Sequence, residues 1–382
     1  MTGYNIGVAL KMEKKTGYYI HFDARKSIGV SKKIDMQMKA FSSQFCMQEV
    51  EITATPRSLF QRIVGLLPWK SITRNYEKAW QQIDAPDFVY VRRTVADHDY
   101  LSFLKRIKKR YPQCKIIVEI FTYPYDRDDF GKWNAWPFYI KEFIYRKRYK
   151  RCIDRFVTYS SDDKIFGVPT IRTTNGVDTQ QVNMTSGTYL VNRITMVGVA
   201  YMQRQHGYER IIRGLRDYYA EGSAAKKVYL YLVGDGPEKE HYQKLVQRYA
   251  LNDYVKFYPT ITGTELDEIY EQSDVGLASF GFYKAGVYYS NSSLKAYECL
   301  AKGLPLATGC SITGVDKECP FVFSFPNNKS VVDIGEIVDK FEKLRNNGTK
   351  SKEDLAKEIR TFAEKKFSME IVMRSIIDYI NE

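Results

Sequence analysis

A strand-like run of apolar residues that breaks into glycines is the feature that most limits how this chain can fold. Residues 228–233 read VYLYLV and are followed directly by Gly234-Asp235-Gly236-Pro237. A run of this kind is typical of a strand that is covered on both faces of its sheet. Glycines at its carboxyl end allow a tight turn at the edge where α/β sheets bind ligands. The sequence therefore predicts a parallel α/β sheet with a binding edge at Gly234 and Gly236.

A helix predicted over residues 291–302 opens with polar and cationic groups. Residues 291–293 (NSS) are types that cap helices, helix formers follow, and residues 303–305 (GLP) end the helix. Backbone amides, hydroxyls and the ammonium group of Lys295 in the first turn favour an anion. The Glu298 carboxylate lies one turn further on nearly the same face, where it suits the diol of a ribose or sugar. The two segments together predict a nucleotide-sugar site.

These segments resemble the donor-binding half of retaining glycosyltransferases of the GT-B fold, family four, also called glycosyl transferases group 1. Members carry G-x-G-P-E and a helix with E-(A/Y)-x-A-x-G-x-P, and this chain has GDGPE at 234–238 and ECLAKGLP at 298–305. The second Glu that is usual eight residues before the helix Glu is Ser290 here. Residues 292–298 instead fit the S-x-L-K-x-x-E variant of members that assemble surface polysaccharides. The resemblance covers most of the chain and is strongest over 195–310.

The resemblance implies an α/β fold of two facing Rossmann-like domains with parallel sheets and a C-terminal helix that crosses back. The domains would be 1–180, an acceptor-side domain joined by the helix at about 366–382, and 189–365, which binds the nucleotide-sugar donor. A length of 382 residues independently predicts two domains. Strand-like and helix-like patterns alternate along both halves, beginning with a predicted strand at 4–10, and also favour parallel sheets covered by helices.

The resemblance also implies the roles of individual residues. Arg210 and Lys295 would hold the donor diphosphate, with His206 where family members commonly carry a Lys, and the segment beginning at Tyr258 would meet the base. The structural alternative for Arg210 is a solvated helix residue. The predicted donor-binding residues are Gly234, Gly236, Tyr258, Ser292, Ser293, Leu294, Lys295, Glu298 and His206.

Three catalytic residues are predicted: Glu119 in the first domain, and Arg210 and Lys295 in the second. It ends a buried strand at 115–120, where retaining members place a residue that approaches the transferred sugar. Glu119 would then stabilise oxocarbenium-like charge or position the acceptor hydroxyl. The alternative is that its carboxylate only accepts hydrogen bonds from loop amides.

The implied activity is transfer of a hexosyl group from a nucleoside diphosphate sugar, of the UDP type, to a hydroxyl of a lipid-linked glycan in polysaccharide biosynthesis. The donor is a substrate, and no cofactor is expected. Two alternatives use the same fold: a catalytically inactive scaffold partner of another transferase, which the Ser290 substitution favours, and a nucleotide-sugar epimerase. The oligomeric state stays open.

Acidic and cysteine residues do not predict a metal site. Residues 126–129 (DRDD) match the D-x-D of an unrelated transferase class, but such triplets arise by chance and a solvated loop is the favoured interpretation. The chain's 6 cysteines lack C-x-x-C spacing and His pairing, as expected of reduced thiols. The leaving diphosphate would be stabilised by the helix dipole and by cationic residues.

The net positive charge of the chain comes from its first half. Residues 1–180 carry 32 Lys and Arg against 19 Asp and Glu, and the remaining residues carry 26 of each. Two basic aromatic segments, 58–70 and 138–151, suit an interfacial helix at an anionic membrane surface. Core-packing helices with a solvated basic face are the alternative. No nucleic-acid-binding signature is present.

The expected location is the cytoplasm, peripheral on the inner face of the membrane. No apolar run approaches the ~18 residues of a transmembrane helix, and the first residues of the chain are too polar for a secretory signal.

Overall fold

A computed structural model describes residues 14–26, 28–55, 58–67, 69–70, 74–125, 136–220, 226–286 and 293–382. The predicted strand at 4–10 lies outside these residues, as do Ser290, Ser292 and the acidic residues 126–129. The chain divides into two compact units: unit 1 is Met1–Thr173 with Met373–Glu382, and unit 2 is Thr174–Val372.

Unit 1 contains a seven-stranded sheet within the described residues. Its strands are β1 (Thr16–His21), β2 (Cys46–Glu51), β3 (Phe88–Arg92), β4 (Lys115–Ile120), β5 (Arg155–Thr158), β6 (Lys164–Ile165) and β7 (Val168–Arg172). The strand order is β2-β1-β3-β4-β5-β7-β6, and all neighbours are parallel except β6 and β7. The helices are α1 (Ile28–Ser42), α2 (Leu59–Val64), α3 (Tyr76–Gln81), α4 (His98–Arg110) and α5 (Trp136–Tyr145), with 3₁₀ turns at Ala24–Lys26 and Arg146–Arg151.

Unit 2 contains a parallel six-stranded sheet in the same described part of the chain. Its strands are β8 (Arg193–Val199), β9 (Lys227–Val233), β10 (Val255–Tyr258), β11 (Val275–Leu277), β12 (Leu306–Thr308) and β13 (Val322–Ser324). The order is β10-β9-β8-β11-β12-β13. The helices are α6 (Glu209–Ala220), α7 (Lys239–Arg248), α8 (Thr264–Glu271), α9 (Leu294–Ala301), α10 (Ile334–Leu344) and α11 (Lys352–Phe367), with 3₁₀ turns at Thr179–Gln181, Arg204–His206 and Phe282–Ala285. The last helix, α12 (Met369–Asn381), begins in unit 2, and most of it belongs to unit 1.

The central strands of both sheets are buried on both faces. All five residues of β3 are buried, and so are the middle residues of β8 and the last four residues of β9. Parallel sheets covered by helices require continuous apolar strands of this kind. Each unit has its own hydrophobic core, and the predicted α/β architecture of parallel sheets and covering helices is confirmed.

Two elements of unit 1 differ from the sequence prediction. The segment at 16–21 forms β1, the second strand of the sheet, although the polar residues around it concealed its GYYIH core. The basic aromatic segment 138–151, which the sequence predicts as a helix, is helical in α5 only to Tyr145 and continues as the 3₁₀ turn Arg146–Arg151. Only Tyr149 of that turn is buried, so little packing supports a longer α-helix there.

Most of the C-terminal helix α12 belongs to unit 1. Ser368 is extended and separates α11 from α12, and the Val177 amide donates to the Phe367 carbonyl at 2.8 Å. Within unit 1, Lys15 Nζ donates to the Ile380 carbonyl and Lys115 Nζ to the Tyr379 carbonyl, both at 2.6 Å. Lysines favour the unsatisfied carbonyls at a helix C-terminus.

Among the described residues, no helix combines the length and the apolar character needed to cross a bilayer.

Candidate functional site

The glycine turn after β9 is locked against the loop after β8. Gly234 and Gly236 have φ of 125° and 135°. A Cβ on Gly234 would lie 2.0 Å from the Ala200 carbonyl oxygen, and a Cβ on Gly236 would lie 2.5 Å from the Met202 amide nitrogen. Any side chain at these positions would collide with backbone. The predicted turn therefore sits at the carboxyl edge of the unit 2 sheet.

A second close approach joins the loop after β8 to the loop after β11. Gly207 has φ of 62°, and a Cβ there would lie 2.5 Å from the Gly281 amide nitrogen. The Phe280 amide donates to the His206 carbonyl at 2.8 Å. Strand β8 lies between β9 and β11 in the sheet, so all three loops meet where the strand order reverses. Open α/β sheets bind ligands at this kind of crevice.

His206 is a half-buried, neutral imidazole in this structure. Its Nδ1 accepts a hydrogen bond from the Gln203 amide at 2.9 Å, and its ring stacks on Tyr208 at 5.8 Å between centroids. Burial, assisted by the nearby Lys295 charge, lowers the pKa of His206 to about 2. A neutral ring whose Nδ1 accepts must carry its proton on Nε2. His206 therefore offers a single neutral donor to an anion and no charge.

Lys295 lies in the first turn of α9 and is half-buried. Its Nζ lies 3.4 Å from the Tyr208 hydroxyl and 5.4 Å from that ring's centroid. Burial lowers the pKa of Lys295 to about 7. No carboxylate within the described part of the chain forms an ion pair with it. A lysine in this state gains charge when an anion approaches, as a phosphate ligand requires.

The start of α9 supplies further groups beside Lys295. The helix begins at Leu294 with Ser293 as its N-cap, and the Ser293 hydroxyl is buried without a hydrogen-bond partner in the described structure. Glu298 follows one turn after Lys295 and is half-buried. At the neighbouring β10, the Tyr258 carbonyl accepts from the Gly234 amide at 3.2 Å. The predicted donor-binding residues that are described thus gather at one edge of the unit 2 sheet.

Arg210 is not the solvated residue or the phosphate ligand that the sequence suggested. It is 1% exposed, and its guanidinium donates to three backbone carbonyls: Phe280 at 2.6 Å, Ser330 at 2.6 Å and Pro326 at 2.9 Å. Bidentate phosphate binding needs guanidinium donors that are not already engaged. The structure therefore corrects the prediction: Arg210 holds the loop after β11 against the loop at 326–330.

Glu119 lies at the end of β4 and is fully buried. Its Oε1 accepts from Lys33 Nζ at 2.8 Å, Gln37 Nε2 at 3.1 Å and the Tyr159 hydroxyl at 2.5 Å, and its Oε2 accepts from Arg92 Nη1 at 3.0 Å. Both carboxylate oxygens are thus engaged by side chains. A buried ionic network takes the place of both interpretations, the predicted contact with a transferred sugar and the alternative of bonds to loop amides.

The charges of this network are unequal. Burial alone would raise the pKa of Glu119, but Lys33 and Arg92 together with their hydrogen bonds lower it to about 2. Burial lowers the pKa of Lys33 to about 8 although Glu119 opposes that shift. Two cations share one carboxylate, so the network is positive at neutral pH. Glu119 is a positioning residue that holds Lys33 and Arg92 at the carboxyl edge of the unit 1 sheet.

Sequence reasoning missed Arg92 and Tyr159, which contact Glu119, and Tyr208, which contacts Lys295 and His206. Arg92 could have been found as a cation at the carboxyl end of a buried strand, the same signal that singled out Glu119. Tyr208 directly follows His206-Gly207, but the pattern of the sequence around it indicates only a helix. Tyr159 carried no signal, because its contact with Glu119 joins neighbouring strands far apart in sequence.

Metal-binding groups and disulfides are not found in the described part of the chain. No group of three or more His, Cys, Asp or Glu side chains that could hold a metal ion occurs there. All 6 cysteines are free thiols.

Comparison with known proteins identifies relatives in structure. No family model matches the chain, and no curated protein matches it significantly. A glycosyltransferase from Rickettsia africae ESF-5 matches with a TM-score of 0.64 at 11% identity, covering 96% of this chain and 98% of that one. HepE of Anabaena, solved with UDP and glucose, matches with a TM-score of 0.61 at 12% identity over 95% and 99% of the two chains. Sucrose-phosphate synthase from Thermosynechococcus elongatus matches with a TM-score of 0.62 at 13% identity over 96% and 98%.

These matches span nearly the whole length of each chain. They confirm the fold class expected from the sequence, a GT-B arrangement of two Rossmann-like units with parallel sheets. Because the sequence identities are only 11% to 13%, the likeness establishes the fold alone.

Replacing Glu119 with Gln should destabilise unit 1. The substitution leaves Lys33 and Arg92 buried without a counter-charge, and breaking a buried pair in this way costs about 3–5 kcal/mol. Chemical denaturation followed by circular dichroism measures the loss. Because the pKa of Glu119 is lowered from 4.5 to about 2, its contribution is present above pH 4.5 and is lost as pH falls toward 2.

Glu77→Gln is the matched control, because it removes a carboxylate whose ion pair with Arg106 is exposed on the surface of the same unit. Exposed pairs of this type contribute little to stability because water screens them. Equal stability of the two variants would show that the Glu119 network does not support the fold.

Proposed function

We propose that this protein is a retaining, metal-independent glycosyltransferase that moves a hexosyl group from a nucleoside diphosphate sugar of the UDP type to a hydroxyl of a lipid-linked glycan. The observation that carries the proposal is the position of Lys295 in the first turn of a helix, at the switch point of a parallel sheet. This lysine is half-buried, and burial lowers its pKa to about 7. Support for the nucleotide comes from HepE, a protein of this fold solved with UDP-glucose.

The donor diphosphate would bind at the N-terminus of α9. Backbone amides there carry the positive end of the helix dipole. Lys295 would supply the full charge, with the Ser293 hydroxyl and the Nε2–H of His206 as neutral donors. Negative charge grows on the diphosphate as the glycosidic bond breaks, so groups that bind it more tightly at that stage accelerate the reaction.

The remaining predicted residues would orient the donor. Glu298, one turn along α9, would accept hydrogen bonds from the ribose diol, and Tyr258 and the glycine turn would border the base. Arg210 would act indirectly, by fixing the loops that carry His206 and Phe280. Unit 1 would present the acceptor, with the positive Lys33–Arg92 pair at the carboxyl edge of its sheet.

Binding of UDP-glucose should be coupled to proton uptake near pH 7. An approaching diphosphate favours the charged form of Lys295 and raises its pKa from about 7. Affinity should therefore fall as pH rises through 7, because the free protein then loses the proton. Titration calorimetry in two buffers of different ionisation enthalpy measures the uptake, and UDP-glucose itself has no group that titrates there.

Lys295→Met should abolish the proton uptake, and Lys244→Met, which removes an exposed lysine of α7, should retain it. Proton uptake that persists in Lys295→Met would place the diphosphate elsewhere.

Glu298→Gln should weaken UDP binding and nearly abolish transfer. Charge-assisted hydrogen bonds to a carboxylate contribute on the order of 1.5–3 kcal/mol. Thermal unfolding with increasing UDP reports binding, since a ligand that binds the folded state raises the melting temperature by mass action. Glu268→Gln, an exposed change on α8, serves as control. A Glu298→Gln variant with the parental shift and turnover would contradict this placement of the ribose.

Transfer should survive EDTA, because the helix amides and Lys295 offset the charge of the leaving diphosphate without an ion. Product formation with and without the chelator measures this. Complete loss that manganese restores would assign a metal role to the acidic residues 126–129. Turnover of donor into free UDP and an altered sugar, without acceptor, would instead indicate an epimerase.

A further inference from the structure

Helix α5 carries its charges inside and its apolar residues outside. Its buried residues are Pro137, Lys141, Glu142 and Tyr145, whereas Trp136, Tyr139, Phe143 and Ile144 are exposed. A helix on a water-facing protein surface normally has the opposite arrangement. Trp136 is 57% exposed although it is among the largest apolar side chains of the protein. Within the described part of the chain, the outer face of α5 is therefore apolar and exposed.

Two buried charges fix the rotation of α5. Lys141 Nζ donates to the backbone carbonyls of Gly65 and Lys70, the second at 2.5 Å. Glu142 accepts from the Ala96 amide at 2.5 Å and from the Tyr125 hydroxyl at 2.6 Å. Turning the helix to bury its aromatic face would expose these groups and break all four bonds. The apolar face is thus held outward by interactions inside the unit.

The segment at 58–70 also exposes apolar side chains. Phe60 is 75% exposed, and Leu59, Ile63 and Trp69 are exposed with it. The two carbonyls that Lys141 binds belong to this segment, so it lies beside α5. The exposed apolar residues of α5 and of 58–70 together are called the apolar surface below. Contiguous exposed surfaces of this kind mark interaction sites.

Cations border the apolar surface. The 3₁₀ turn Arg146–Arg151 follows α5 directly, and its Lys147, Arg148, Lys150 and Arg151 are exposed. Lys147 Nζ lies 4.6 Å from the centre of the Phe143 ring, so charge and aromatic surface are in contact. Glu142 is the one acidic residue of the sequence 136–151, and it is turned inward.

We propose that the apolar surface docks unit 1 on an anionic lipid bilayer, with the aromatic side chains inserted at the headgroup level and the Arg146–Arg151 cations on the lipid phosphates. Tryptophan and tyrosine favour the bilayer interface, and clustered Lys and Arg favour its negative surface. A second copy of the chain fits less well, because a two-fold contact would bring the two cationic turns together. The proposal does not depend on the transfer activity.

Vesicle sedimentation of the full chain tests the proposal. The parent protein should pellet with phosphatidylglycerol-containing vesicles, less so as salt rises, and should stay in the supernatant with pure phosphatidylcholine. Changing Lys147, Arg148, Lys150 and Arg151 together to Gln should reduce binding at least tenfold at low salt. The control changes four exposed cations of unit 2 to Gln and removes the same charge: Lys227, Lys244, Arg248 and Lys256.

The apolar contribution is tested separately. Phe60→Ser with Trp136→Ser should weaken binding at low and high salt alike, because insertion of apolar groups is not screened. Leu190→Ser with Val191→Ser, two exposed apolar residues of unit 2, should bind as the parent does. The melting temperature and UDP response of each variant establish that it is folded.

Three results would overturn the proposal. The first is a parent protein that remains in the supernatant with anionic vesicles at low salt. The second is equal binding by the Lys147–Arg151 variant and its unit 2 control, which would make net charge the cause. The third is a dimer in sedimentation velocity that the Phe60 and Trp136 changes dissociate, which would make a second copy the occupant of the apolar surface.

Discussion

Backbone atoms of three loops approach one another so closely at the carboxyl edge of the second sheet that only glycine fits between them. Gly234 faces the Ala200 carbonyl, and Gly207 faces Gly281. Contacts between backbones cannot relax as side chains do, so the loops after β8, β9 and β11 have fixed positions. These loops position His206 and, through Tyr208, the start of α9. A helix N-terminus and Lys295 therefore lie at the switch point of the sheet.

Glu119 in unit 1 and Lys295 in unit 2 differ in the charges that surround them. Glu119 has every oxygen engaged and two cations beside it, which is the condition under which a buried carboxylate supports a fold. Lys295 contacts the Tyr208 ring and hydroxyl, and burial lowers its pKa to about 7. The carboxylate of Glu119 therefore has its counter-charges inside the unit. No carboxylate among the described residues offsets the charge of Lys295.

The positive excess of the chain belongs to residues 1–180, away from the predicted donor residues. Part of it forms the exposed Arg146–Arg151 turn next to the aromatic face of α5. Lys141 and Glu142 turn that face outward by making their bonds within the unit. A glycosyltransferase with these properties would bind its donor in a neutral unit and reach a lipid-linked acceptor through a basic, apolar one. The same chain would then combine catalysis with attachment to the surface where its acceptor resides.

The sequence by itself determined the alternation of strands and helices, the glycine turn at Gly234 and Gly236, and the polar start of α9, because these depend on local preferences and on short motifs. Only the tertiary structure decided the partners of Glu119 and Arg210, the neutral state of His206 and the outward face of α5. Those features depend on contacts between residues far apart in the chain: Glu119 meets Tyr159 across neighbouring strands, and Arg210 meets Pro326 across two loops. Hydrogen-bond donors and desolvation are set by such contacts, and no local pattern of residue types records them.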